Sequence, residues 1–392
     1  VKNITSERTR PKPPQPGEIA MDEPTPRRTL LLHVAPDDSP SAALTEAAAL
    51  LRAGELVAFP TETVYGLGAD ATNPEAVRRI FAAKERPYSD PLIVHIPDAR
   101  QLPLVAAEIP EVAWRLAARF WPGPLTLVVP RAAGIPALVA AGGATVGVRV
   151  PSHPVAQALL RAAEIPVAAP SANRFMHTSP TTAQHVLADL DGRIAAILDG
   201  GPSTVGVEST VLDLTSDPPR VLRPGGVTLE ALRAVLPQVQ GPLAAEAEEA
   251  GATEETEAAQ DGPARAPGQM ARHYAPRTPL VVFDAQGAPA LEAIHALAEA
   301  ALARGERVGV LLADEEAEAL AHLPQHGLQL VMVTLGPEGD LAAISRRLYA
   351  ALRTLDEQGL DLILAHTFGR EGLGLALEDR LRRAAGGALR PI

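Results

Sequence analysis

Cysteine is absent from all 392 residues, which excludes disulfides, iron–sulfur clusters and thiolate zinc sites. Aromatic side chains make up only 3 % of the chain, so alanine, leucine and valine must fill most of any core. No apolar run approaches the roughly 18 residues of a membrane span. The amino-terminal stretch has no signal-peptide core, and a soluble cytoplasmic protein is expected. Lysine is nearly missing: of 35 basic residues only Lys2, Lys12 and Lys84 are not arginine. The net charge of −12 argues against broad nonspecific nucleic-acid binding, which needs a basic face. The G-x-x-x-x-G-K-[ST] phosphate loop and the G-x-S-x-G nucleophile elbow do not occur, and the first half has no H-x-x-x-H metal spacing.

What is present reads as globular, with 46 % hydrophobic and 21 % charged residues, and the length suggests two domains with a tail. Residues 1–28 are rich in proline and charge without apolar periodicity, and are expected to be disordered. Met21 lies within them and the first residue is Val1, so Met21 is expected to be the true start. From about residue 40 helices and strands alternate. A helix runs from Ser41 to Arg52 and the strand ELVAFP follows. Asn73 and Pro74 open a further helix as N-cap and first residue. Strands read as DPLIVHI, PLTLVVP, TVGVRVP, IPVAAP, AAILDG and ESTVLDL, with helices near 110–120, 154–163, 181–190 and 228–236. Back-to-back strands between 207 and 224 imply a mixed sheet. The segment 240–265 is acidic and poor in large apolar residues, as a solvated linker is. Alternation resumes at Pro279 with PLVVFD, a helix over 290–304, RVGVLLA, a short helix and LQLVMVTLG. It closes with a helix over 340–358, LDLILAHTFG and a helix over 373–385, which suggests a small parallel, Rossmann-like sheet. No G-x-G-x-x-G turn follows its first strand, so dinucleotide binding is not supported.

Polar residues gather at strand ends and in Gly/Pro loops, where functional groups tend to sit. They are Thr61, Glu62, Thr63 and Tyr65; Lys84, Arg86 and His95; Thr145 and Arg149; Ser171 and Asn173; Ser179, Glu208, Ser209 and Arg223. Several have ordinary structural readings: a strand threonine, a half-buried histidine, a Ser/Asn turn after proline. Arg149 is harder to dismiss, because a guanidinium between Val148 and Val150 needs an anion if it is buried. Lys84 is the lone lysine of the folded region, in a chain that otherwise uses arginine. It is a candidate for work that needs a compact ammonium. Lys84, Arg86, Arg149 and Arg223 together compose a focused anion pocket in an acidic protein. Neighbouring hydroxyls suit a nucleotide plus a small polar substrate.

The strings FPTETVYGLGADA, KERPYSDPLIVHI, WPGPLTLVV, TVGVRVPSHP, APSAN, SPTTAQHV, VGVESTVLDL and LRPGG occur in this order. They resemble the YrdC-like domain of the threonylcarbamoyl-AMP synthase family. PGQMARHYAPRTPL resembles the linker of its long two-domain form, and EGLGLALEDRLRRAAGG resembles the extra Rossmann-like domain more loosely. The resemblance implies an α/β fold: a YrdC-like twisted mixed sheet with a concave cavity over 40–238, a linker with a HYAP lid over 239–278, and a smaller Rossmann-like parallel-sheet domain over 279–392. It implies a reaction in which L-threonine, bicarbonate and ATP yield threonylcarbamoyl-AMP and diphosphate. The product is destined for adenosine 37 of tRNA through separate threonylcarbamoyltransferase proteins. By position, Thr63, His95, Arg149 and Ser209, with the backbone of Ala169, match the threonine site. Lys84, Arg86, Asp90, Thr145, Ser171, Ser179 and Arg223 match the ATP side, and Tyr274 matches a residue that reaches over the nucleotide. Lys84 and Arg86 are the expected catalytic cations. Asp90 departs from the family pattern, where asparagine is usual; a carboxylate there repels phosphate unless protonated or turned away. Mg²⁺ is expected to travel with ATP, held by phosphates and water rather than by protein ligands.

The remaining alternatives are a double-stranded RNA or tRNA-binding module without synthase activity, and a carbamoyl-transfer domain of the hydrogenase-maturation type. The first would make the weak tRNA contact the main function, against the net charge. The second needs zinc fingers that a chain without cysteine cannot form.

Overall fold

The computed structural model describes residues 28–34, 41–242, 265–320 and 329–392. The expected tail up to residue 27, Met21 within it, and residues 243–264 of the acidic linker lie outside the described residues. In the first domain strands β1 to β10 form one twisted mixed sheet in the order β1-β8-β2-β3-β7-β4-β6-β5-β9-β10. The strands that frame the site are β2 (Val57–Phe59), β3 (Gly66–Asp70), β4 (Ile93–His95), β5 (Leu125–Pro130), β6 (Thr145–Arg149), β7 (Val167–Ala168), β9 (Thr210–Asp213) and β10 (Arg220–Arg223). β4 runs parallel to β6 and antiparallel to β7, and β5 runs antiparallel to β6 but parallel to β9. This is the mixed sheet that the back-to-back strands required.

Strand β1 (Leu30–His33) was not expected. It pairs in parallel with β8 (Ala196–Asp199), so the domain begins ten residues before the expected boundary at 40. As an edge strand it leaves Leu30 and Leu31 exposed, and its apolar run does not report burial. Strand β3 and a short helix over Leu102–Val105 were not expected either; the expected elements form, with their ends moved by a few residues. Helix α1 (Ala42–Arg52) is capped by the Ser41 hydroxyl, which accepts from the Leu44 N–H. Helix α2 (Pro74–Lys84) is capped by Asn73, whose Oδ1 accepts from Glu75 and Ala76. Glu85 takes a left-handed conformation, φ 57°, which stops α2 at Lys84 and turns the chain towards Arg86. Helices α1 and α5 (Pro154–Ala163) cover one face of the sheet, and α2 and α6 (Ala183–Leu190) cover the other.

The second domain has four parallel strands in the order β11-β14-β12-β13. These are β11 (Leu280–Phe283), β12 (Val308–Leu312), β13 (Leu330–Thr334) and β14 (Leu362–His366). Helix α8 (Gly287–Ala303) packs on one side, and α9 (Leu341–Asp356) with α10 (Gly374–Ala384) on the other. Of the expected short helix after β12 the described residues show a 3₁₀ turn, Glu318–Leu320, and residues 321–328 lie outside them. The domain is Rossmann-like in architecture, as expected.

At the carboxyl end of its central strands Glu316 Oε2 accepts from the Ala313 N–H at 2.7 Å and meets His366 Nε2 at 2.8 Å. Burial alone pushes His366 down, but the bond to Glu316 and its charge hold the imidazole above its usual value. Burial pushes Glu316 up, but His366 outweighs it and holds the carboxyl low. His366 therefore contributes stability fully below its unfolded pKa of about 6.5 and loses it as pH rises through the higher folded value. Glu316 contributes above about 4.3 and loses it as pH falls through its lower folded value. Glu316→Ala breaks a buried pair and is expected to cost about 3 kcal/mol. Denaturant melts across pH should show the loss greatest between the two windows and shrinking on the alkaline side.

The two domains meet closely. Gly206 has φ +84°, and a Cβ there would fall 2.3 Å from the Arg346 backbone of α9, so only glycine admits this approach. Val64 and Tyr274 join the apolar cluster of the second domain, and Arg353 of α9 pairs with Asp189 of α6 at 2.8 Å.

Candidate active site

The site grows from strand ends that the mixed sheet brings to one place. After β2 the loop holding Thr61, Glu62 and Thr63 folds back on itself. The Thr61 hydroxyl donates to the Val64 carbonyl at 2.6 Å and lies 2.8 Å from the Thr63 hydroxyl. Opposite, β4 and β6 end in register on His95 and Arg149. Arg149 is 4 % exposed, and the anion a buried strand arginine requires is Glu62, with Nη2 to Oε1 at 2.8 Å. Its Nη1 donates to the Thr63 hydroxyl at 2.9 Å and its Nε to the Gly123 carbonyl at 3.2 Å. Of the five N–H donors of a guanidinium two are thus committed to hydrogen bonds, while Nη2 faces Glu62 as an ion pair without one, and the rest can meet a ligand carboxylate. His95 is buried, and burial first, then the Arg149 charge, lower its pKa to about 3. It is a neutral imidazole at physiological pH, with no hydrogen bond to Nδ1 within the described residues.

Ser209, just before β9, shares a 2.8 Å hydrogen bond with Thr126 of β5 and accepts from Arg223 Nη2 at 3.2 Å. Arg223 also donates to the Ser209 carbonyl at 2.9 Å and to the Pro267 carbonyl of the linker at 3.2 Å. Arg86 is buried and held by its own turn. Its Nη2 donates to the Pro91 carbonyl at 2.6 Å and lies 3.0 Å from Asp90 Oδ2. Burial raises the Asp90 pKa, while the charges of Arg86, Lys84 and Arg223 oppose that rise.

Thr63, His95, Arg149, Ala169 and Ser209 line one cavity, and Arg86, Ser171, Arg223 and Tyr274 line the same cavity. Every threonine-site residue expected from the sequence is therefore brought together, with four of the ATP-side residues. The other four stand elsewhere. Lys84 is buried behind the wall, its ammonium donating to the Ser171 carbonyl at 2.6 Å and also to that of Asn173. Burial first, then the nearby Arg86 charge, pulls its pKa well below the usual lysine range. Asp90 is turned to Arg86. Ser179 donates to Glu208 Oε1 at 2.6 Å. Thr145 begins β6 opposite Pro130, at the far end of the strand from Arg149. Thr61 and Glu208 line the cavity without an expected role, as does His273 beside Tyr274.

The cavity is small, about 50 Å³, room for a few water molecules. Its roof is the linker: Pro267, Gly268, His273 and Tyr274 line it. Tyr274 is 1 % exposed with φ 60°, a conformation uncommon for a bulky residue and sustained by its surroundings. Its hydroxyl lies so close to Gly268 that a Cβ there would approach within 2.3 Å. Its ring stacks on Tyr349 at 5.9 Å and lies 4.9 Å from the Arg380 guanidinium.

The family model described as "Telomere recombination" matches residues 49–225, and that described as "Threonylcarbamoyl-AMP synthase, C-terminal domain" matches 227–386. Across 345 residues the chain is 45 % identical to the threonylcarbamoyl-AMP synthase of Bacillus subtilis, covering 88 % of this chain and 93 % of that one. The chain belongs to the threonylcarbamoyl-AMP synthase family. A second family member, from Pyrococcus abyssi, is 44 % identical over 342 residues, 87 % of this chain and 93 % of its own. The crystal structure of P. abyssi Sua5 complexed with L-threonine superposes with a TM-score of 0.82 at 40 % identity, covering 93 % of this chain and 100 % of that one. Family membership thus extends over both domains and the linker between them.

Proposed function

We propose that this chain is an L-threonylcarbamoyladenylate synthase, a nucleotidyltransferase that consumes L-threonine, bicarbonate and ATP and releases diphosphate. The observation that carries the reading is a single cavity lined by a polar corner, Thr63, His95 and Arg149, and by the cations Arg86 and Arg223. The likeness to a relative solved with L-threonine bound supports it.

In this reading uncommitted N–H groups of Arg149 pair with the substrate carboxylate. The substrate amine bonds to the carbon of bicarbonate with loss of water, or adds to CO₂ with loss of a proton; a carbamate oxygen then bonds to the α-phosphorus as the bond from that phosphorus to the departing diphosphate breaks. Arg86 and Arg223 stabilise the charge that grows on the leaving group. No side chain of the cavity stands as a covalent nucleophile, so catalysis is positioning and electrostatics. Mg²⁺ enters as part of the nucleotide substrate. Glu208, the carboxylate among the lining residues, already accepts from Ser179, Tyr349 and Arg380, which suits an ion held by phosphates and water. The product passes to threonylcarbamoyltransferase proteins that modify tRNA, and the enzyme works in the cytoplasm. Among the described residues no helix is long and apolar enough to cross a membrane.

ATP enters only when the roof lifts, and the roof then shields a hydrolysable adenylate from water. Tyr274→Ala removes the ring that faces Arg380. A desolvated cation–π contact is worth about 2 kcal/mol, so the closed-to-open ratio should fall by roughly 30-fold. Chromatography of the products should show more AMP and less intact adenylate; an unchanged product lifetime would argue against the roof. The reading as a whole is tested by diphosphate release with L-threonine and bicarbonate supplied or withheld. Release that ignores L-threonine defeats it.

A further inference from the structure

Arg380 of α10 is 0 % exposed, although it stands in a helix whose sequence, EDRLRRA, looks like a solvated face. Three of its contacts are neighbours of the cavity. Its Nε donates to Glu208 Oε2 at 2.6 Å, its Nη2 donates to the Pro224 carbonyl at 2.9 Å, and its guanidinium lies 4.9 Å from the centre of the Tyr274 ring. Glu208 itself lines the cavity, and Pro224 follows the cavity cation Arg223. A fourth contact, with Asp379, supplies a second counter-charge. The same helix tethers the roof twice more: the His273 N–H donates to the Arg383 carbonyl at 3.1 Å and Arg383 Nη1 donates to the Met270 carbonyl at 2.7 Å. From α9, Tyr349 donates to Glu208 Oε2 at 2.9 Å.

We propose that Arg380 is a positioning residue through which the second domain becomes a working part of the nucleotide pocket. A buried guanidinium with two carboxylates is a costly way to gain stability. Its geometry is instead specific, fixing the Glu208 carboxylate, the loop carrying Arg223 and the Tyr274 ring with a single planar fork. Lysine cannot do this, because a point charge cannot span Glu208 and the Pro224 carbonyl while facing a ring. The contacts fall on the roof and the Arg223 side. None is made to Thr63, His95 or Arg149, whose hydrogen-bond and ion-pair partners lie within the first domain, and Ser209 of the threonine side is reached only through Arg223. Nucleotide and amino acid should therefore respond differently when Arg380 is changed.

The inference rests on the synthase reading, and its test separates the two. Full-length wild type, Arg380→Met, Arg380→Lys and Tyr349→Phe are compared by calorimetric binding of ATP and of L-threonine, and by diphosphate release. For Arg380→Met ATP binding is expected to weaken by about tenfold or more, while L-threonine binds within about twofold of wild type, 1.4 kcal/mol being a factor of ten. Arg380→Lys should not rescue it, and Tyr349→Phe should shift ATP binding in the same direction by a few-fold. A folded Arg380→Met protein with wild-type ATP affinity, or with both affinities falling together, overturns the proposal. Should Arg380→Met not fold, Tyr349→Phe decides in the same way, since it removes one hydroxyl from the same clamp. A wild type that binds ATP but shows no L-threonine-dependent diphosphate release refutes the synthase reading instead, and the ATP affinities of the variants still judge the clamp.

Discussion

Arg149→Met is expected to abolish L-threonine-dependent diphosphate release, lowering kcat/KM for L-threonine by about a thousandfold. Two losses combine. A charge-assisted, paired hydrogen bond to the substrate carboxylate contributes about 1.5–3 kcal/mol, and the displaced Thr63 hydroxyl removes a second contact. Stability falls too, because Glu62 keeps a buried carboxylate without its partner, a change that costs about 3–5 kcal/mol. The double variant Arg149→Met with Glu62→Gln separates the effects. Removing both charges should restore most of the melting transition and none of the activity. If activity returned with stability, Arg149 would be a structural ion-pair partner only.

Lys84→Met is expected to cost about 3 kcal/mol of stability, since it takes this donor from the buried carbonyl of Asn173 and the half-buried carbonyl of Ser171. Activity should fall by at least 10²-fold, the usual price of about 1 Å of misplacement in a reacting site, because Ser171 lines the cavity. Lys84→Arg is expected to fail as well, for a steric reason. The ammonium is enclosed at 1 % exposure, and a guanidinium would overpack that space, at about 1–3 kcal/mol. Activity and urea melts measured together decide the matter. Normal stability with normal turnover in Lys84→Arg would show that any cation suffices at this position.

The architecture was legible because helix caps and alternating strands are local signals. Asn73 and Pro74 announced α2, and the short spacing of strands between 207 and 224 announced a mixed sheet. Strand β1 escaped because an edge strand exposes the very leucines that would otherwise mark a core. Arg149 was legible as a buried cation that needs an anion, yet its partner Glu62 was not, since pairing across a sheet depends on register. Lys84 stood out by composition alone. Its singularity pointed to a compact ammonium, and the structure gives that ammonium two carbonyls to hold rather than a place on the cavity wall. Arg380 and Tyr349 gave no signal at all. A helix reading EDRLRR looks solvated until another domain covers it.

Glu208 and Arg380 are 172 residues apart in the chain. Synthesis proceeds from the amino end, and domains generally fold as units in that order. The mixed sheet can thus form with the Glu208 carboxylate still facing water, where it bears its charge at little cost. Only when α10 docks is that carboxylate drawn out of solvent and given its guanidinium. The nascent first domain is then a folded body with an unfinished pocket, which is completed late, as a property of domain assembly.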